Sequence, residues 1–374
     1  MDTHAFDIVV IGAGIAGATA AAQLAADHRV ALVEAEEAAG YHTTSRSAAM
    51  WMQNYGPHDA RTLSRLSKAF FDAPPPGFTE TPLLTRRAVV YIATDAHRGE
   101  LDAMLKGSVG LRDISIAEAR GLVPAIHAGY RGSAAVEDIA SDMDVAAIHQ
   151  GFLRLLRARG GVLALRSRAG RIVRHSGNWR VETTENAVFS ASILVNAAGA
   201  WGDEVAAIAG VTPIGLQPKR RTALIIDPAP WEVASWPMLD SLGETWYCRP
   251  EARKKLLVSP ADETDMPAHD VQPDELDIAI AIDRMQSVLD IKVHRVERSW
   301  AGLRSFTPDR GMAIGWDGAV DGFFWSLGQG GYGIQTSPAQ GKLVADLVSG
   351  RDPGPAGAIL ERVDPKRFRT PKPV

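Results

Sequence analysis

Residues 7 to 36 constrain the chain more than any other stretch. Ile8 to Ile11 is a short β-branched apolar run, the pattern of a strand buried on both faces. Gly12, Gly14 and Gly17 follow as G-x-G-x-x-G and open the Ala-rich helical stretch Ala18 to Ala26. The first glycine permits a tight turn, the second lets backbone approach a pyrophosphate, and the third lets helix and strand pack closely. Ile15 and Ala16 then lie in the first helical turn, whose free N–H groups and positive dipole end face the phosphates. Val30 to Val33 reads as a second parallel strand ending at Glu34-Ala35, with the carboxylate twenty residues after Gly14. That is where an acidic side chain accepts hydrogen bonds from an adenosine ribose. The stretch is an ADP-binding βαβ unit.

The remaining composition narrows the class. With 374 residues the chain has room for two domains, and 46% hydrophobic with 22% charged residues is ordinary for a globular protein. A net charge of −4 gives no reason to expect a nucleic-acid partner, and the one compact basic triplet, Lys219-Arg220-Arg221, is too short to follow a phosphate backbone. The single cysteine, Cys248, excludes an intrachain disulfide framework and suits a reducing compartment. Met1 to Phe6 runs directly into the first strand, leaving no room for a signal peptide, and no apolar run is long enough for a transmembrane segment. A cytoplasmic location is the expectation. The histidines are scattered without ligand spacing, so no metal site is expected.

Taken in order, Gly40 to Ala49 is rich in hydroxyls and carries Arg46. A loop after the second strand of a nucleotide fold lies near the ligand, so Ser45, Arg46 and Ser47 are candidate donors. Helical spacing over Ala60 to Phe71 stops at Pro74-Pro-Pro-Gly77. Asp144 caps a helix that ends on Gly160-Gly161. Ile193-Leu-Val-Asn-Ala-Ala-Gly199 is a second buried strand running into backbone that must approach a ligand. The nucleotide fold therefore resumes here, and the stretch from about 50 to 140 is an insertion. A second excursion runs from Gln217 to about Arg295. Phe323 to Leu327 then gives a last buried strand, entering Gly328-Gln-Gly-Gly-Tyr-Gly-Ile-Gln-Thr-Ser and a final helix. Capping rules start that helix at Ser337-Pro338, whereas contact with a ligand wants it nearer Gly333. The Pro-rich tail after Arg351 is expected to be poorly ordered.

Glycine-rich segments near both ends of the chain suit FAD, whose adenosine and flavin ends are held by segments far apart in sequence. A late helix whose positive N-terminus points at the flavin would stabilise the charge gained on reduction.

The motifs now on the page, with Gln217-Pro-Lys-Arg-Arg221 and Trp300-Ala-Gly-Leu-Arg-Ser-Phe306, recur in order over nearly the whole chain. Together they resemble the D-amino-acid oxidase superfamily of flavoproteins, and within it bacterial FAD-dependent D-arginine dehydrogenases. The resemblance implies an α/β fold. A discontinuous Rossmann-like FAD-binding domain would comprise 1–50, 140–216 and 296–374. A substrate domain of 51–139 and 217–295 would cover the flavin with a mixed sheet. It also implies oxidation of free D-amino acids to imino acids, which hydrolyse to 2-oxo acids and ammonia. At matching positions Arg221 and Arg304 would hold the substrate carboxylate, Tyr55 and Tyr247 would line the pocket, and Gly331 and Gln335 would lie beside substrate and flavin. FAD would further meet Thr44, Ala48, Val173, Ala198, Gly199, Trp201, Gly302, Gly330, Tyr332, Gly333 and Ile334. Cys248 does not sit where relatives tether flavin, so the FAD is expected to be non-covalent.

Two departures bear on specificity. Met50 stands where the arginine-specific relatives have a histidine, and Val89 where they have a glutamate facing the guanidinium. The expectation is therefore a preference for neutral or apolar side chains, unless Glu244 supplies a carboxylate from a lid. Alternatives are oxidation of glycine, sarcosine or another secondary amine, a preference for D-arginine and D-lysine, or oxidation of a 2-hydroxy acid. Oxygen, a quinone and a carrier protein all remain open as electron acceptor.

Overall fold

The computed structural model describes residues 3–243, 245–252 and 254–369. Glu244, the candidate lid carboxylate, lies outside them.

The βαβ unit forms as its sequence dictates. Along Ile8–Ile11 every side chain is buried, Ile8 and Val10 in the core on one face of the sheet and Val9 and Ile11 in the core on the other. This strand is third in a six-stranded sheet, flanked by Val30–Val33 and Ile193–Asn196. Val162–Ala164 extends one side, and Phe323–Leu327 and Ala313–Trp316 the other. All neighbours are parallel except the last pair. The helix Ile15–Leu24 packs on the face shared by Ile8 and Val10, beside the last long helix, Gly333–Val348.

A nine-stranded mixed sheet forms the second layer. One end of it is the long antiparallel pair Gln217–Ile226 and Val296–Phe306, with Thr264–Asp265 beside the first of these. Lys255–Ser259, Trp246–Glu251, Met238–Ser241, Val89–Ala93, Ser133–Glu137 and Leu111–Ile114 follow in spatial order. Alternation gives this sheet two faces. Val90, Leu239, Cys248 and Val258 enter a core closed by the helix Glu275–Gln286, while Val89, Met238, Tyr247 and Ala223 turn the other way.

Three regions depart from the sequence expectation. The helix His58–Asp72, placed with the substrate lobe, buries Leu63 and Phe71 against the final helix in the core beneath the six-stranded sheet. The strand Val296–Phe306, placed with the cofactor segments, is hydrogen-bonded along its length into the large sheet. The tail is built rather than loose as far as Arg369. Short helical turns over Gly354–Ile359, Leu360–Val363 and Pro365–Phe368 seat Ile359 and Val363 in the core, and Arg367 ties back to Asp309. Proline suits first helical turns as well as loops, and composition alone did not separate the two.

Candidate active site

One long cavity runs from the glycine-rich turn, between the two sheets, to the inner face of the large sheet. At its first end Gly12 has φ +98, and a Cβ there would lie 2.5 Å from the Ala197 carbonyl oxygen. A Cβ on Gly17 would lie 1.8 Å from the Gly12 carbonyl oxygen, so helix and turn close on one another only through glycine. Gly17 thus acts by packing, and Gly12, Gly14, Ile15 and Ala16 line the cavity. Glu34 is nearly buried, accepting from the Ala13 N–H at 2.8 Å and the Glu36 N–H at 3.0 Å, which holds the carboxylate at the wall beside Ala35. The Thr44 hydroxyl accepts from the Ile15 N–H at 3.0 Å and caps the helix end from outside.

Arg46, Ser47, Ala48, Ala198, Gly199, Trp201 and Gly302 continue the wall. Arg46 is braced across the layers, donating to the Val271 and Ala301 carbonyls and pairing with Asp270. Besides Gly17, three candidates do not line the cavity: Ser45, Val173 and Tyr332. The Ser45 hydroxyl turns back to the Tyr41 and His42 carbonyls, and Val173 sits in the strand Ala169–His175, away from the lining. Tyr332 is packed behind the wall, its ring edge-on to Tyr55 at 5.0 Å.

The second end gathers segments distant in sequence. The final helix starts at Gly333, and Gly330, Gly331, Gly333, Ile334 and Gln335 line the cavity, so its N-terminus faces the ligand space. Gln335 is 2% exposed. Its Oε1 accepts from the Met52 N–H at 3.0 Å, which fixes the amide orientation and leaves Nε2 buried without a partner among the described residues. A buried amide donor in a cavity wall calls for a ligand acceptor.

Arg304 rises from the strand Val296–Phe306 against Gly331, where a Cβ would lie 2.9 Å from its Nη1. Among the described residues its one hydrogen-bond partner is the Tyr55 hydroxyl, at 3.3 Å. Burial opposes its charge while the oxygens of Tyr55, Tyr247 and Tyr332 favour it, and the net shift is upward; the guanidinium is protonated, as arginine is in proteins generally. Arg221 also lines the cavity, but is already engaged by the Asp262 carbonyl at 2.9 Å and Glu263 at 3.3 Å. Its neighbours in the basic triplet do not line the cavity: Arg220 pairs with Asp277, and Lys219 with Asp265.

Met50 and Tyr247 line the cavity and Val89 does not. The valine is wholly buried, directly opposite Glu137 on the neighbouring strand. The sequence reading missed Met52, Met238, Asp240 and Ala261 in the wall. Strand alternation could have found two of them, because Leu239 enters the outer core and so turns Met238 and Asp240 inward. Cys248 faces the outer core, where burial pushes its thiol far up, and it does not line the cavity.

A family model described as "FAD dependent oxidoreductase" matches residues 7–347. The chain belongs to this family. The glycine cradle and Glu34 at one end of the cavity, and the Gln335 Nε2 without a partner among the described residues at the other, fit the extended cofactor. A glycine oxidase of Pseudomonas aeruginosa is 25% identical over 366 residues, 92% of this chain and 95% of that protein. The chain spans only about a third of FAD-dependent oxidoreductase domain-containing protein 1 of Xenopus laevis, 27% identical over 177 residues, 42% of this chain and 34% of that protein. The crystal structure of glycine oxidase from Geobacillus kaustophilus superposes with a TM-score of 0.81 at 21% identity, covering 93% of this chain and 96% of that one. The superfamily resemblance stands. These full-length relatives are glycine oxidases rather than D-arginine dehydrogenases, which corrects the finer part of it.

Among the described residues no helix is long and apolar enough to cross a membrane, and no cluster of side chains could hold a metal ion.

Proposed function

We propose that this oxidoreductase removes hydride from Cα of a small free α-amino acid, giving the imino acid that hydrolyses to a 2-oxo acid and ammonia. The observation that carries the reading is Arg304, a half-buried guanidinium in the cavity wall with one hydroxyl partner among the described residues. A guanidinium has five donors in a fixed fork, and two of them match a carboxylate. Arg304 would take the substrate carboxylate with help from Arg221, and Tyr55 and Tyr247 would close over it. Held there, the substrate turns Cα–H towards the cofactor, and orientation of this kind removes much of the barrier. FAD, when bound, supplies the hydride acceptor. The Gln335 amide is placed to donate to an acceptor on cofactor or substrate. Met50, Met52, Met238 and Ala223 line the cavity, exclude water and favour a neutral or apolar side chain. Met50 cannot take up a proton, so the substrate ammonium loses its proton elsewhere.

The motif pattern favours D-amino acids. The glycine oxidases among its relatives favour glycine or sarcosine equally well. Anaerobic mixing with D-alanine, D-leucine, D-arginine, glycine, sarcosine and 2-hydroxy acids decides between them through loss of the visible flavin absorption. Reduction by D-leucine ahead of glycine supports the first reading, and the reverse order the second. Reduction by 2-hydroxy acids alone would overturn both.

A further inference from the structure

We propose that Glu137, a buried carboxylate outside the cavity wall, is a positioning residue that fixes the Met52–Tyr55 turn so that the Tyr55 hydroxyl meets Arg304. The proposal rests on Arg304 being the carboxylate clamp.

Glu137 ends the strand Ser133–Glu137 and is fully buried on the sheet face that carries Val89, Tyr91 and Tyr247. Its Oε1 accepts from the Gln53 backbone N–H at 2.9 Å, and its Oε2 from the Tyr91 hydroxyl at 3.0 Å. Burial pushes the carboxyl above its ordinary range against the pull of bonds from Asn54, Tyr91 and the Gln53 N–H. A group with that desolvation cost is held only because its partners need it where it is.

Those partners form a turn pinned from three sides. The Met52 N–H donates to Gln335, itself in the cavity wall. Asn54 clamps Val109 through both its amide atoms, each at 3.1 Å. Glu137 takes the N–H between them. The next residue is Tyr55, whose hydroxyl lies 3.3 Å from Arg304 Nη1 and 3.0 Å from where a Cβ on Gly331 would be. With no side chain on Gly331 and Tyr332 behind its ring, Tyr55 has one seat, and the turn decides whether it occupies it. A displacement of about 1 Å at such a contact is enough to weaken a bidentate clamp severely. Glu137 never meets the substrate, so its loss should act on binding more than on chemistry.

The test is titration of the FAD-loaded protein with propionate, a carboxylate without an amine, read by perturbation of the flavin spectrum, alongside KM and kcat for the best amino acid. Glu137→Ala should weaken propionate binding and raise KM by about tenfold, with a smaller change in kcat and full FAD content. Glu137→Gln keeps an acceptor for the Gln53 N–H and should stay within about threefold of wild type. Should the alanine variant not fold, Tyr91→Phe removes one donor and should weaken propionate about threefold. Three results would overturn the proposal: alanine that lowers Tm yet binds propionate normally, glutamine as weak as alanine, or no change in Tyr91→Phe. A wild type that binds no propionate and is reduced by no amino acid sinks the clamp reading instead.

Discussion

Replacing Arg304 by methionine tests the proposed chemistry at its most exposed point. Methionine roughly keeps the volume and removes the fork. In the wild type four of the five guanidinium donors have no partner among the described residues, so deletion leaves only the Tyr55 hydroxyl short of one bond. Folding should therefore suffer little. Substrate binding loses a two-bond, charge-assisted contact in a desolvated wall, which costs about 2–5 kcal/mol. That corresponds to a drop in kcat/KM of about thirty- to several-thousand-fold. FAD should remain, because the cradle formed by Gly12, Gly17 and Glu34 lies at the other end of the cavity. Arg221→Met should lose less, since its guanidinium is already committed to Asp262 and Glu263. The assay is anaerobic reduction by the best amino acid, with FAD content measured on the same sample. Near-normal reduction in Arg304→Met, or a larger loss in Arg221→Met, would refute the assignment of the principal clamp.

Two further outcomes follow from the cradle. Gly17→Ala pushes a methyl into the Gly12 carbonyl oxygen, backbone that cannot swing aside, so the variant should purify with little FAD and a lower Tm; full occupancy would contradict the close approach. His149 is buried with Nε2 on the Ala13 carbonyl at 2.9 Å, and burial holds its pKa below the ordinary 6.5. Its stabilising contribution is complete above about pH 6.5 and lost as pH falls through the lowered value. Tm measured from pH 8 to pH 5 should therefore decline less in His149→Gln than in wild type.

What was legible in the sequence is what backbone geometry dictates locally. The βαβ unit, the helix capped by Asp144 and the strand entering Ala197-Ala198-Gly199 could be read because each needs particular residues at fixed spacing. The final helix could be placed but not started, since its first turn obeys the ligand space rather than a capping side chain. Site residues on the large sheet were harder. Whether a residue there lines the cavity depends on strand pairing between segments over a hundred residues apart, and Val89 shows the consequence. Its position suggested a pocket residue lacking a carboxylate, which predicts that Val89→Glu would create a site for D-arginine. Strand pairing reverses that prediction. Val89 is fully buried, does not line the cavity, and faces Glu137, so the new carboxyl would enter an apolar core beside an existing buried acid. An uncompensated buried charge costs roughly 3–5 kcal/mol, and the group will take up a proton before it pairs with a substrate it cannot touch. Val89→Glu should therefore lower Tm sharply and leave the ratio of kcat/KM for D-arginine over D-leucine within about threefold of wild type. A stable variant with tenfold better use of D-arginine would mean that the side chain at position 89 reaches the substrate after all.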